Sequence, residues 1–121
     1  MLMEALVLIS GLGSVGFSAL FACASLGIKT VICVDVIQSR LEQASTISTA
    51  VGEGILTIAI FQQAKGFGAT HTINAKEADV PAEVMKITKD TGVRYAIECT
   101  GAPQACRNSF LSLGVRGLPY F

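Results

Sequence analysis

Leu8-Ile9-Ser10-Gly11-Leu12-Gly13-Ser14-Val15-Gly16 places glycine at the first, third and sixth positions of a loop that leaves an apolar run and enters a stretch of small and apolar residues. The run Ala5 to Ser10 is too short for a helix of ordinary length and stops at glycine, which predicts a central parallel strand covered on both faces. Ser14 to Leu26 has no proline, and Gly27 stands where helices end in glycine, which predicts a largely buried helix. In that setting each glycine has its own task. Gly11 permits the tight turn, Gly13 lets backbone approach a pyrophosphate, and Gly16 lets the helix lie against the strand. The N–H groups that open the helix, those of Ser14 and Val15, and the positive end of its dipole suit an anion.

Downstream, Thr30 to Val34 reads as a second strand that ends at Asp35, nineteen positions after Gly16. A carboxylate there accepts hydrogen bonds from the ribose hydroxyls of an adenosine and repels a 2′-phosphate, so it favours NAD over NADP. Val36, rather than an arginine, follows it. Arg40 is either a second ribose or phosphate contact or a solvated helix charge. Glycine turns of this kind also occur in parallel α/β folds generally and at the S-adenosylmethionine site of methyltransferases. The acid closing the next strand is what points to a dinucleotide.

Further along, Ser39 is a candidate N-cap for a helix starting at Arg40, and Thr70 to Asn74 alternates like a strand. Pro81, with Val80, Val84 and Ile87 on one stripe and Gly92 beyond, predicts an amphipathic helix. Val93 to Cys99 is a fourth strand, and Pro103 opens a helix through Cys106, Phe110 and Leu113 to Gly114. Strands alternating with helices predict an α/β doubly wound parallel sheet, a Rossmann fold, incomplete and with about four core strands.

The 121 residues carry nine basic and nine acidic side chains, 51% hydrophobic residues and a mean hydropathy of +0.58. Zero net charge gives no general attraction to nucleic acid or an anionic membrane, and no apolar run reaches the roughly 18 residues of a spanning helix. The start, Met1-Leu2-Met3-Glu4, has no basic segment of a secretory signal. Cys23, Cys33, Cys99 and Cys106 form no CxxC pair and His71 is the single histidine, so zinc-ligand spacing is absent and reduced thiols of a cytoplasmic protein are expected.

Several blocks in order resemble the cofactor-binding domain of zinc-containing medium-chain alcohol dehydrogenases, closest to the aryl-alcohol dehydrogenase-like branch. They are Leu8 to Gly16, Val34-Asp35 with Ser39 to Glu42, Gly68 to Asn74, and Glu98-Cys99-Thr100-Gly101. The resemblance implies hydride transfer between an alcohol and NAD. Gly11, Gly13, Ser14, Val15 and Gly16 would lie at the pyrophosphate, Asp35 and Arg40 at the ribose, and Thr100 and Gly101 along the cofactor cleft. It also implies structural roles for His71 and Glu98, and no catalytic residue in this stretch.

The chain departs from that family in three places. The catalytic domain with its zinc ligands has no counterpart here, so zinc, a small alcohol or aldehyde substrate and turnover are expected only in a full-length context. The last strands on the nicotinamide side would follow Gly117, which predicts a fragment whose fourth strand is a bare edge. Residues 45–64 interrupt the second helix with an apolar run, Ile55 to Phe61, and are either translated intron or a genuine insertion. Two functions of different class follow: the NAD(H)-binding part of an alcohol dehydrogenase-like oxidoreductase, inactive alone, or a nucleotide-sensing module without catalysis.

Overall fold

The computed structural model describes residues 5–45 and 69–120; the interruption expected at 45–64 lies, from residue 46 on, outside them. Within the described residues, strands β1 (Leu6–Ser10), β2 (Thr30–Asp35), β3 (His71–Asn74), β4 (Val93–Glu98) and β5 (Leu113–Tyr120) form one sheet in the order β3-β2-β1-β4-β5. Every neighbouring pair is parallel. Helices α1 (Ser14–Ser25), α2 (Gln38–Ser45), α3 (Val80–Ile87) and α4 (Pro103–Leu111) connect them.

Successive strand residues face opposite sides, and both sides are apolar because both are covered. Val7, Ile9, Val31 and Cys33 pack with Leu20 and Cys23 of α1 and Leu41 and Ala44 of α2. Leu8, Ile32, Val34 and Ile73 pack with Val80 and Val84 of α3. Helices on both faces make the fold doubly wound, as the order of elements implies.

Local chemistry sets the helix ends. Gly27 N–H donates to Ala24 O at 2.9 Å and Ile28 N–H to Cys23 O at 3.0 Å, which closes α1 in a Schellman motif around the predicted glycine. At α3 the side chain of Asp79 accepts from Ala82 N–H at 3.3 Å, with Pro81 in the first turn.

Four expectations need correction. The chain has a fifth strand, so β4 is not a bare edge: Val93 pairs with Leu113 and Ala96 with Pro119. Two glycines and a proline hide this strand in the sequence, and each has a place. A register shift lies between Val93 and Tyr95, a Cβ at Gly114 would strike Thr91 O, and proline is tolerated because β5 is an outer strand. Secondly, α4 ends at Leu111, Leu113 belongs to β5, and Phe110 is 62% exposed while Ser109 turns inward.

Thirdly, α2 begins at Gln38, which puts Ser39 inside it; the Asp35 carboxylate takes the Ile37 N–H at 2.9 Å and turns the chain earlier than a Ser39 cap would. Finally, α1 is apolar all round but buries only Gly16, Leu20, Cys23 and Ala24, leaving Val15, Phe21 and Leu26 exposed.

Three outcomes follow from this packing. Leu8→Ala, at a fully buried position of the central strand, should lower unfolding free energy by about 3 kcal/mol in urea titration. The Ser109 hydroxyl is buried without a hydrogen-bond partner among the described residues, so Ser109→Ala should raise it by about 1 kcal/mol. Burial, with Cys23 alongside, pushes the Cys33 thiol up to about 12, so a thiolate-specific reagent at neutral pH should label Cys33 only once the chain unfolds.

Candidate functional site

The order of strands reverses direction between β1 and β4, and in open parallel sheets ligands enter the crevice at the carboxyl ends of the strands there. Ser10, which ends β1, pairs with Val34 on one side and Glu98 on the other. Just past it, Gly11 N–H donates to Val34 O at 2.8 Å, and Cys99 N–H donates to Ser10 O at 2.8 Å. The glycine loop therefore leaves β1 pinned to both neighbours.

Gly11 sits at φ +93°, a conformation that side chains disfavour, and a Cβ there would lie 2.5 Å from Thr100 Cγ2. A Cβ at Gly16 would collide with the Gly11 carbonyl oxygen, whereas Ile9 Cγ2 of the strand is 3.8 Å away. The close approach at Gly16 is thus to the loop itself more than to the strand. Above Gly13 the space is open: a Cβ would meet nothing within 4 Å.

Phe17 N–H makes the first helical bond, to Gly13 O at 2.9 Å, so the N–H groups of Ser14, Val15 and Gly16 precede the internal ladder. No side chain caps this end and no acidic residue lies in the first turn. Ser14 is exposed and Val15 is 66% exposed. An anion at this end would meet N–H groups and the positive end of the helix dipole.

Asp35 is buried and faces the loop. One carboxylate oxygen accepts Leu12 N–H at 2.7 Å and the other accepts Ile37 N–H at 2.9 Å. Arg40 Nη1 stands 3.9 Å from the same carboxylate on a half-exposed side chain, a pair worth less than about 1 kcal/mol. Val36 and Ile37, both exposed, continue the rim of the crevice. The sequence reading found the acid but missed the amide of Leu12 that it holds. An aspartate ending a strand signals only the local bond two residues on, to Ile37 N–H; the bond to Leu12, 23 residues earlier, has no signal in the sequence.

On the other side, Glu98 is buried and folds back over its own turn. It accepts Thr100 N–H at 2.9 Å, Thr100 Oγ1–H at 2.6 Å and Gly101 N–H at 2.8 Å, with Cys106 Sγ at 3.5 Å. Thr100 Oγ1 also accepts Ala102 N–H at 3.0 Å. Burial pushes the Glu98 carboxyl up, but the hydrogen bonds from Thr100, Gly101 and Cys106 outweigh it and hold the group below the ordinary glutamate range.

His71 lies far from this constellation. It opens β3, whose last residue, Asn74, is the one that pairs with Asp35, and its Nδ1 is 3.1 Å from Thr70 Oγ1. An open apolar cleft of about 470 Å³ lies between α1 and β4–β5, lined by Ala22, Leu26, Tyr95 and Tyr120 among others. It lacks convergent polar groups and is separate from the glycine loop. Among the described residues no group of three or more His, Cys, Asp or Glu is placed to hold a metal ion.

The depressed Glu98 fixes a pH dependence. Its contribution to stability is complete above the ordinary glutamate range and is lost as pH falls through its lower folded value. Acid unfolding followed by circular dichroism should therefore be less steep in Glu98→Gln than in the parent chain.

Comparison with known proteins agrees with this geometry. Residues 14–118 match the sequence profile of the family described as zinc-binding dehydrogenase. Sorbitol dehydrogenase of Bacillus subtilis is 34% identical over 119 residues, 93% of this chain and 28% of that protein. Alcohol dehydrogenase 1 of Trifolium repens is 33% identical over 105 residues, covering 86% and 22%. The crystal structure of benzyl alcohol dehydrogenase from Acinetobacter calcoaceticus superposes with a TM-score of 0.73 at 34% identity, over 96% of this chain and 26% of that one. The chain thus spans about a quarter of the length of the relatives it matches. With its parallel sheet, its glycine loop and this likeness along nearly the whole length, the chain belongs to the zinc-binding dehydrogenase family.

Proposed function

We propose that this chain is the NAD(H)-binding part of an alcohol dehydrogenase-like oxidoreductase. The observation that carries the reading is the shared carboxyl edge of β1 and β2: open space over Gly13, helix N–H groups at Ser14 and Val15, and the Asp35 carboxylate bonded to the same loop at Leu12. A diphosphate fits over the loop because Gly13 presents no side chain there.

Each oxygen of Asp35 already takes one backbone N–H, and each keeps a further lone pair for a ribose hydroxyl. A 2′-phosphate would bring like charge against that buried carboxylate, which favours NAD over NADP. Val36 and Ile37 offer apolar surface beside the ribose position, suited to the adenine ring, and Arg40 sits at its rim. Thr100 and Gly101 line the side nearest β4.

When bound, the nicotinamide supplies the hydride acceptor or donor. The described residues bind and orient the adenosine half. They do not fit a zinc ion, so no step of alcohol activation is assigned to them.

A thermal-shift titration tests the reading. NAD at a hundred times its Kd should stabilise the chain by about 2.7 kcal/mol, a rise of several degrees in Tm, and NADP should act only at higher concentration. Asp35→Ala should weaken NAD at least tenfold and narrow its preference over NADP. No shift with millimolar NAD, in a chain that unfolds cooperatively, would sink the proposal.

A further inference from the structure

We propose that Glu98 is a positioning residue for nucleotide binding: it fixes the Thr100–Gly101 turn, which in turn holds Gly11 of the glycine loop in place. The proposal rests on the NAD(H) reading above and adds to it a residue that would touch no part of the cofactor.

The geometry runs in three contacts. Glu98 gathers three hydrogens from two successive residues, Thr100 N–H and Oγ1–H on one oxygen and Gly101 N–H on the other. With Oγ1 held, the Thr100 methyl is aimed at the turn beside β1, where even one added carbon on Gly11 would come within 2.5 Å of it. The two turns are also joined by the bond from Cys99 N–H to Ser10 O. Gly11 carries the chain to Leu12 and Gly13, whose placement decides whether the helix amides face a diphosphate.

A carboxylate is the group this turn requires. Three donors of this turn and the Cys106 thiol converge on it, and a glutamine would have to turn its NH₂ toward some of them, leaving a half-buried donor without an acceptor. An aspartate is one methylene shorter and would not reach both residues. Glu98 is thus the counterpart of Asp35 across β1: each acid closes a strand next to β1, and each orders part of the crevice through backbone N–H groups.

The test uses the 121-residue chain and compares Glu98→Gln with Val84→Ala, a buried change on α3 that packs with Leu8 and Ala96 on the sheet face opposite α1. NAD affinity is measured by calorimetry, and amide hydrogen exchange of Gly11, Leu12 and Ile9 is measured without nucleotide. Glu98→Gln should weaken NAD at least tenfold and cut the protection of Gly11 and Leu12 at least tenfold relative to Ile9. Val84→Ala should lower Tm yet leave NAD affinity and that ratio within twofold.

Unchanged protection in folded Glu98→Gln overturns the proposal, as does an equal loss of affinity in Val84→Ala. If the parent chain ignores NAD while Glu98→Gln still loosens Gly11 and Leu12, the hold on the loop stands and the nucleotide reading falls. Should Glu98→Gln not fold, Thr100→Val, which deletes the hydroxyl donor and keeps a methyl, must show the same loss of Gly11 and Leu12 protection.

Discussion

The bond from Leu12 N–H to the buried Asp35 carboxylate is the constraint on which the site depends. It joins the glycine loop after β1 to the end of β2 through a charged acceptor, the stronger kind of hydrogen bond. Without it the loop would keep its anchor at Val34 O but lose the contact that sets its outer half. The same carboxylate takes the Ile37 N–H, so one side chain both shapes the loop and starts the turn into α2.

The rest of the fold serves to bring that bond about. A parallel strand buried on both faces has few ways to end except at a turn over the sheet's carboxyl edge, and here three such ends lie side by side. Two of them carry acids whose oxygens are occupied by backbone N–H groups, and the middle one carries the glycines. Burial of Leu8, Ile9, Ile32 and Cys33 fixes the strands, and the strands fix where the acids stand. Relatives of this chain are about four times its length, and the piece of the fold it shares with them is the one that contains this arrangement.

Much of this was legible because it rests on residues with few alternatives. Glycine at 11 and 16 and an acid at 35 mark positions where geometry admits little else, and the apolar runs flanking them set the first two strands. Where several residues could serve, the sequence alone does not choose between them. Ser39 looked like a cap, but the Asp35 side chain had already turned the chain. The strand from Leu113 was hidden because Gly114, Gly117 and Pro119 are poor strand formers, and only their neighbours across the sheet explain them. Hydropathy put α1 largely inside, yet composition does not say whether a neighbour exists to cover Phe21 and Leu26. The Thr100–Glu98 contact was invisible because it depends on side chains folding back over a turn, not on spacing.

The account comes down to where a diphosphate sits. Amide chemical-shift mapping of the chain titrated with ADP-ribose measures this directly. The largest shifts should fall on Leu12 to Val15 and on Asp35 to Ile37, with smaller ones at Thr100 and Gly101. Shifts confined to the apolar cleft around Tyr95 and Tyr120, with the loop amides still, would contradict it.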